Sequence, residues 1–480
     1  MNDTIVFQTD KLHLDDGEIA PAQVKCTAGE ALEIRMGKHP GADIKLPNEV
    51  HIALARADTH VHFRESVIPS REEFEDDPYR TKDFSYENLL SRIETTNQGY
   101  DAFRGSLAAL KGGVWLVGAM GNTPWAPVGE DKWRKMDAHY REKSLVFTHV
   151  WPRLEPGVPP IKGQEEKDFA ATFGRSGLSD EKRRKMYLER PGGMISYHND
   201  KSRSDETLQD FKNRVKPEDY LLQPLYFDGG TVYEMQKDTL LLAIEAKLHS
   251  LLTRHIPTGT GLEMIIRSRI GTEIRLPAEV GLDYLYFNYD MLKDRETRSI
   301  NYRRPALPSK NDQSQLIEIL RDCARLRDPL TFIGSDHAPH NKECKMFKEN
   351  GMPGSPGTRV IEHSLAIQVN LIHNHGFTYG DIDWLTAIVP SLYISQYRSF
   401  PFAIGTMQDG AMTNLAVFHP DEPCKVDETQ LQVQLRDPHY HTAYKDENLH
   451  GQMMYTVVNG VVYDVRGEIT ALNTYEPRLA

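Results

Sequence analysis

Short apolar runs alternate with longer amphipathic stretches through the middle of the chain. GGVWLVGAM at residues 112–120 precedes DKWRKMDAHYREK, and SQLIEILRDCARL at residues 314–326 precedes DPLTFIGSD. Strands that alternate with helices in this way are typical of βαβ units around a parallel sheet. We therefore predict the α/β fold class and, over residues 58–405, a (β/α) barrel of the TIM type.

Both ends of the chain have a different pattern. Residues 1–57 contain short alternating runs separated by the turn sequences DDGE, TAGE and KHPGAD, and residues 406–480 contain NLAVFHPDEP and GQMMYTVVNGVVYD. Turn signals at this spacing favour β-strands joined by tight connections. We predict that the two termini together build one small β-sandwich domain.

Two charged stretches interrupt the barrel pattern, at residues 65–87 and 162–190. Both are too polar for a core, so we predict insertions or mobile loops. The densest part of the first stretch, residues 71–83, is predicted to be a solvated loop.

Composition and charge exclude several classes of function. The 480 residues contain 57 Lys and Arg against 69 Asp and Glu, which gives a net charge of −12. An acidic chain is a poor binder of polyanions, so nucleic acid and anionic membranes are not expected partners. The first residues show no signal-peptide pattern, no apolar stretch reaches membrane-spanning length, and the four cysteines have no CxxC spacing. A cytoplasmic location is therefore expected, and a small anionic substrate would be bound by a few placed cations.

The sequence ARADTHVHFRES at residues 55–66 carries the strongest local signal. On a strand, alternate side chains share a face, so Asp58, His60, His62 and Arg64 would point the same way. Two imidazoles about 6.6 Å apart along one strand face can converge on one metal ion. The alternative is an exposed polar strand whose histidines are incidental.

A second signal is TFIGSDHAPHNK at residues 331–342. An apolar strand at residues 330–333 would end near Asp336, with His340 on the following loop. A carboxylate at a strand end can bind a metal and accept a proton. The alternative is a turn with a capping aspartate. His337 is expected to point away from the site and to pack, and we expect surface or core roles for the remaining candidates His363, His373, His375, His439 and His441.

Together these motifs resemble the dihydroorotases of the amidohydrolase superfamily. DTHVHFR and GSDHAPH are similar to the two signatures of that family, AALKGGVWLVGAMGNTPWAP is similar to its asparagine-bearing segment, and TRHIPTGTGLEMI is similar to a segment that supplies a histidine ligand. The resemblance implies an eight-stranded barrel with a β-domain from both termini. It also implies a zinc-dependent hydrolase of cyclic amides that interconverts N-carbamoyl-L-aspartate and dihydroorotate in pyrimidine biosynthesis.

The resemblance assigns roles to individual residues. It places His60, His62, His255 and Asp336 on zinc, with Asp336 also carrying the proton. It places Arg64, Asn122 and His340 on the substrate carboxylate. An amide carbonyl needs a Lewis acid, and water needs a lowered pKa to attack it at neutral pH, so zinc chemistry suits this reaction.

Two expected ligands have no clear counterpart. For the bridging ligand, GGMISYHNDKS offers His198, Asp200 and Lys201 without a choice. For a histidine on the next strand, LLQPLYFDGGTV offers only Tyr226 or Asp228, and EVGLDYLYF has Asp283–Tyr284 where the family has a further histidine. One or two zinc ions per chain are therefore compatible with the motifs.

Three functions remain open at this point. The first is dihydroorotase activity. The second is the same chemistry on a hydantoin or dihydropyrimidine ring, which Arg64 and Asn122 disfavour because such rings lack the carboxylate. The third is a degenerate homologue that acts as a structural partner, for instance of a carbamoyltransferase, which the missing histidines favour. A homo-oligomer is compatible with each.

Overall fold

The protein is described here from a computed structural model. It describes residues 3–473, except 79, 81–83, 98–99, 154–168, 173–183, 186, 190, 199–228, 294–300, 347–354, 437–440 and 446. The strands within these ranges are β1 (Thr4–His13), β2 (Ile19–Thr27), β3 (Glu33–Met36), β4 (Ile44–Lys45), β5 (His51–Leu54), β6 (Arg56–Val61), β7 (Val114–Ala119), β8 (Phe147–Val150), β9 (Phe169–Thr172), β10 (Met194–His198), β11 (Ser250–Ile256), β12 (Ala278–Gly281), β13 (Thr331–Gly334), β14 (Leu415–Lys425), β15 (Asn448–Val458), β16 (Val461–Asp464) and β17 (Thr470–Ala471).

The α-helices in the same ranges lie mostly between the central strands. They are α1 (Arg71–Glu75), α2 (Tyr86–Asn97), α3 (Ala102–Lys111), α4 (Glu130–Lys143), α5 (Gly229–Glu245), α6 (Gly259–Ser268), α7 (Leu282–Tyr286), α8 (Lys310–Arg325), α9 (Lys342–Lys345), α10 (Ser364–His375), α11 (Tyr379–Asp383), α12 (Val389–Ser395) and α13 (Glu428–Leu435). Short 3-10 turns at Tyr289–Lys293 and Ile361–His363 and a π-helical turn at Trp384–Ile388 complete the set. No described helix has both the length and the apolar character needed to cross a membrane.

The central strands form two parallel sheets. β6, β7 and β8 make one, and β9 to β13 make the other in sequence order. A parallel bridge between Val61 and His337 connects the first sheet to the end of β13. The α/β class is thus confirmed. Among the described residues no pairing joins β8 to β9, so the closed eight-stranded barrel stays a prediction.

Burial explains why these strands lie in the interior. Every residue of β6, β7, β10, β11, β12 and β13 is buried. Parallel strands covered on both faces show this pattern, whereas half-exposed strands alternate. Several of the surrounding helices begin at a side chain that caps their first turn. Ser309, for example, accepts a hydrogen bond from the backbone of Asp312 at the start of α8.

A third sheet is built from both ends of the chain. Its nine strands run in the order β17-β16-β15-β14-β5-β1-β2-β3, with β4 paired to β1. The two ends meet where β14 pairs antiparallel with β5, opposing Leu415 to Leu54. A β-structure contributed by both termini is therefore present. Its arrangement as a sandwich, and the predicted boundaries at residues 57 and 406, stay predictions.

Two expectations about local structure are corrected, and a third is not tested. β9 lies inside the stretch at residues 162–190 that we expected to be a loop, because it pairs with β10. The helix α1 begins within the predicted loop at residues 71–83, where Ser70 and Glu73 form a capping box. The strand that we expected around Asp228 lies outside the described residues; within them, β11 pairs with β10 and β12.

Candidate metal centre

Four strand ends bring histidines and a carboxylate together. His60 lies in β6 and His62 directly follows that strand, while Asp336 follows β13. His198 ends β10, and His255 is the penultimate residue of β11. Because these strands are parallel, their carboxyl ends meet at one edge, which is where barrel enzymes carry their active sites. We call these five residues the strand-end cluster.

The ligand atoms in the strand-end cluster form two overlapping triads. In the first, Asp336 Oδ1 lies 3.2 Å from His60 Nε2 and 3.1 Å from His62 Nε2. In the second, His198 Nε2 lies 3.2 Å from His60 Nε2, and a ligand atom of His255 lies within 4.8 Å of both. His60 belongs to both triads.

The acceptors that fix the rings of His60 and His62 lie outside the cluster. His60 Nδ1 is 2.7 Å from Glu279 Oε1, and His62 Nδ1 is 2.7 Å from Asn122 Oδ1. Both oxygens are acceptors, so each Nδ1 carries the proton and donates it. Each Nε2 therefore directs a lone pair at Asp336 Oδ1, which is also an acceptor.

Acceptors that face each other across 3.1–3.2 Å repel unless a proton or a metal ion lies between them. Two ligand atoms on one tetrahedral zinc ion, at 2.0–2.1 Å from the metal, are about 3.3 Å apart. In addition, His255 Nδ1 is buried and has no hydrogen-bond partner. The residues present thus fit a metal ion of the zinc type.

Burial keeps the imidazoles of His60, His62 and His255 neutral by lowering their pKa values. It lowers the pKa of His62 to about 3, with a further contribution from the charge of Arg64, and it lowers the pKa of His60 and of His255. Burial also raises the pKa of Asp336 to about 7. Only a neutral imidazole has a lone pair to give to a metal, so the environment favours ligation across the neutral pH range.

Backbone strain is concentrated at the same place. Arg64, His255 and Asp336 have φ angles of 55°, 37° and 49°, three of the seven positive values at non-glycine positions in the described part of the chain. Such a conformation costs on the order of 1–3 kcal/mol per residue and is common at functional sites. Arg64 and Asp336 lie just beyond the ends of β6 and β13, and His255 is the penultimate residue of β11.

A cationic group lies beside the cluster. Arg64 Nη2 donates to His340 Nε2 at 2.9 Å, so these two predicted substrate ligands are in contact. Arg64 Nε is buried without a hydrogen-bond partner and is available to an anion. Burial lowers the pKa of the guanidinium to about 10, which still leaves it charged at neutral pH. Asn122, the third predicted substrate ligand, instead holds His62 through its amide oxygen.

Comparison with known proteins gives two groups of relatives. No family model matches the chain. A dihydroorotase from Anoxybacillus flavithermus is 27% identical over 433 residues, covering 86% of this chain and 88% of the relative. A dihydroorotase from Lactobacillus acidophilus is 24% identical and covers 76% and 84%. Matches to the dihydroorotases of Clostridioides difficile and Clostridium acetobutylicum span only 45% and 34% of those proteins.

The chain is a divergent relative of the dihydroorotases. The resemblance inferred from its motifs is thereby confirmed. Solved structures add the fold. The L-hydantoinase (dihydropyrimidinase) from Arthrobacter aurescens superposes with a TM-score of 0.74 at 19% identity over 98% of both chains. The dihydropyrimidinase from Brevibacillus agri gives 0.71 at 14% identity over 98% and 97%.

The strand order corrects one part of the dihydroorotase resemblance. His198 lies on the strand next to that of His255, which is the position where we expected the histidine to be missing. It was considered only as a bridging ligand because the segment around Asp228 was taken for the next strand. The other bridging candidates, Asp200 and Lys201, and the alternatives Tyr226 and Asp228 lie outside the described residues.

The other sequence candidates have structural partners. Asp283 accepts hydrogen bonds from Arg303 Nε at 2.5 Å and from the Tyr444 hydroxyl at 2.6 Å. His337 is fully buried, contacts the Tyr100 hydroxyl and accepts from the backbone of Val360. The prediction that His337 packs is confirmed. Asp283 does not replace a metal-binding histidine, because it is engaged elsewhere.

Two buried acids were missed by sequence reasoning. Glu279 in β12 holds His60, and it is the single charged residue of an otherwise apolar four-residue strand. Glu65 follows Arg64 and accepts hydrogen bonds from His139 Nε2 at 2.7 Å and Lys143 Nζ at 2.8 Å. Glu65 thus anchors the loop that carries Arg64. A charged residue inside a strand that is apolar elsewhere was the available signal for Glu279.

Proposed function

We propose that the protein is a zinc-dependent cyclic amide hydrolase that interconverts N-carbamoyl-L-aspartate and dihydroorotate. One observation carries the proposal. Unprotonated histidine nitrogens and a carboxylate oxygen converge at 3.1–3.2 Å, beside an arginine that can bind an anion. The relatives named dihydroorotase support the same substrate.

Each residue has a defined task in this proposal. A bound zinc ion would polarise the amide carbonyl and make water a nucleophile at neutral pH. His60, His62, His198, His255 and Asp336 would hold it. In ring opening, the new C–O bond forms as the ring C–N bond breaks. Asp336 takes a proton from the attacking water and delivers it to the departing ring nitrogen. Closure runs the same steps backwards.

The substrate carboxylate would lie against Arg64. A guanidinium offers a planar set of donors that matches a carboxylate. His340 accepts a hydrogen bond from Arg64 and so orients it. The oxygen of Asn122 is engaged by His62, so its amide nitrogen is the part left for the substrate.

A second candidate is hydrolysis of hydantoin or dihydropyrimidine rings. The fold similarity to the hydantoinase from Arthrobacter aurescens supports it. The charged Arg64 at the site disfavours it, because the buried Nε of Arg64 would stay without a hydrogen-bond partner beside a ring that lacks a carboxylate. The third function considered from the sequence, a degenerate and non-catalytic partner of a carbamoyltransferase, is less well supported. It was favoured by a missing histidine, and His198 lies on the strand where that histidine was thought to be absent.

Turnover on three substrates tests the proposal. Zinc-loaded protein should open dihydroorotate at least 100-fold faster, in kcat/KM, than hydantoin or dihydrouracil. Asp336→Asn should abolish turnover of all three. Faster opening of hydantoin or dihydrouracil would favour the second candidate. No turnover of any ring, and no closure of N-carbamoyl-L-aspartate, would contradict the proposal.

A further inference from the structure

The side of His60 that faces away from the cluster contacts a buried carboxylate. Glu279 is fully buried and accepts hydrogen bonds from His60 Nδ1 at 2.7 Å, Thr59 Oγ1 at 2.5 Å and Arg254 Nη1 at 2.7 Å. The backbone nitrogen of His255 also donates to it, at 3.3 Å. One carboxylate thus contacts residues of β6 and β11, two of the three strands that supply triad histidines.

Arg254 balances the charge of Glu279 in the same fully buried layer. Its Nη1 also donates to the Thr59 carbonyl at 3.1 Å, and its Nε donates to Ser196 Oγ at 3.1 Å. The guanidinium lies 5.4 Å from the ring centre of Trp151. Arg254 precedes His255 in β11, and Ser196 lies two residues before His198 in β10. The ion pair is therefore built into the strands that carry the cluster.

A carboxylate that accepts the Nδ1 proton of a histidine makes the other ring nitrogen a stronger ligand, and its loss commonly weakens metal binding 10–100-fold. A cation that is hydrogen-bonded to the same carboxylate reduces the negative charge that the carboxylate presents to the histidine. The two members of the pair should therefore act on the metal in opposite directions. If the pair only joined β11 to β12, the loss of Glu279 and the loss of Arg254 would both weaken metal binding, because each would loosen the same contact between the strands.

We propose that Glu279 and Arg254 are positioning residues that together set the metal affinity of the strand-end cluster. Glu279 strengthens His60 as a ligand, and Arg254 limits that effect. The proposal depends on the proposed function only in requiring that the cluster bind a metal.

Zinc affinity of the purified full-length protein tests this inference, measured by competition with a chromophoric chelator. Glu279→Gln should weaken zinc binding 10–100-fold. Arg254→Met should bind zinc at least as tightly as the wild type. Glu279→Gln alone leaves Arg254 buried without its partner and can prevent folding. The double variant Glu279→Gln/Arg254→Met removes both charges, and it should show the weak binding of Glu279→Gln.

A matched control exists at a second buried pair, Arg56 Nη1 and Asp383 Oδ1 at 2.7 Å. Asp383→Asn and Arg56→Met should lower the thermal midpoint of the metal-free protein and leave the zinc dissociation constant unchanged. Wild-type affinity in the double variant would overturn the inference. Equal weakening by Arg254→Met and Glu279→Gln would also overturn it. A wild-type protein that binds no zinc would instead contradict the proposed function.

Discussion

Two clusters of histidine and carboxylate side chains in this protein differ in how their hydrogen-bond donors and acceptors face each other. The strand-end cluster directs the Nε2 lone pairs of His60 and His62 at Asp336. The second, which we call the interface cluster, consists of His13, His51, Arg56 and Asp383, where the sheet built from both termini meets β6 and α11. Both contain two or more histidines, and the histidines of both are buried.

In the interface cluster every close contact pairs a donor with an acceptor. His13 Nδ1 donates to Asp383 Oδ2 at 3.0 Å, which leaves His13 Nε2 free to accept from His51 Nδ1 at 2.8 Å. Arg56 Nη1 donates to the other Asp383 oxygen at 2.7 Å. Such a network is complete without a ligand. The strand-end cluster requires a cation to be complete, so the pattern of donors, rather than the number of histidines, identifies the metal centre.

The largest expected difference comes from the same substitution in each cluster. His60→Asn removes the ligand shared by both triads, so turnover should fall by about 10³-fold or more and bound zinc should be lost. His51→Asn should lower the thermal midpoint but keep zinc content and turnover in the folded protein. Turnover and elemental analysis measure both. Loss of zinc in His51→Asn, or its retention in His60→Asn, would break the distinction.

Metal removal should have the second largest effect, and it should distinguish the two clusters by the thermal midpoint. A ligand present at 1,000 times its dissociation constant stabilises the folded state by about 4 kcal/mol, so chelation should lower the thermal midpoint of the wild type. The same downward shift should occur in His51→Asn and should be absent in His60→Asn. Scanning calorimetry with and without chelator gives the comparison. An unchanged midpoint for the wild type would contradict a structural contribution of metal.

A matched pair of arginines gives a smaller effect. Arg64→Gln removes a cation that can reach the substrate, so KM for dihydroorotate should rise about 10–100-fold, the value of one or two charge-assisted hydrogen bonds. Arg56→Gln, in the interface cluster, should reduce stability and leave KM unchanged. Steady-state kinetics on both variants gives the two KM values to compare with that of the wild type. An unchanged KM in Arg64→Gln would show that the carboxylate lies elsewhere.

The smallest expected effect is a pH dependence of the interface cluster. Burial, and next the charge of His13, lower the pKa of His51 to about 3, against about 6.5 in an unfolded chain. The unfolded state therefore binds more protons between these values, and stability present above pH 6.5 is lost as the pH falls toward 3.

His51→Asn cannot titrate at this position and serves as its reference. Between pH 7.5 and about pH 5.8, the wild type should lose about 1 kcal/mol more unfolding free energy than His51→Asn. Denaturant unfolding at the two pH values measures the difference. Parallel losses in the two proteins would show that His51 does not titrate as described.

The sequence allowed the first triad to be predicted because its residues lie in two compact motifs. His60 and His62 are two positions apart, and Asp336 ends an apolar strand. His198 was harder, because the crossover from β10 to β11 contains both a helix and the apolar segment LLQPLYF, which resembles a strand. Only the pairing of Ser196 with Leu252 in the parallel ladder shows that the strands are neighbours.

Glu279 could not be assigned from sequence for a physical reason. Its partners Thr59 and His60 lie about 220 residues away, and Arg254 is 25 positions away on the adjacent strand. Contacts across a parallel sheet depend on strand order and register, which local periodicity does not encode. The fold class can be predicted from alternating strands and helices, but the acceptors that orient the histidine ligands can be identified only from the three-dimensional strand pairing.

Zinc titration of the metal-free protein, followed by turnover of dihydroorotate, tests the central claim most directly. If the strand-end cluster is the metal site, turnover should be negligible without metal. It should rise to a plateau when one or two zinc ions per chain are bound. Asp336→Asn should remain inactive throughout the titration. Full turnover in the metal-free protein, or a protein that binds zinc stoichiometrically at these histidines and never opens the ring, would contradict the account.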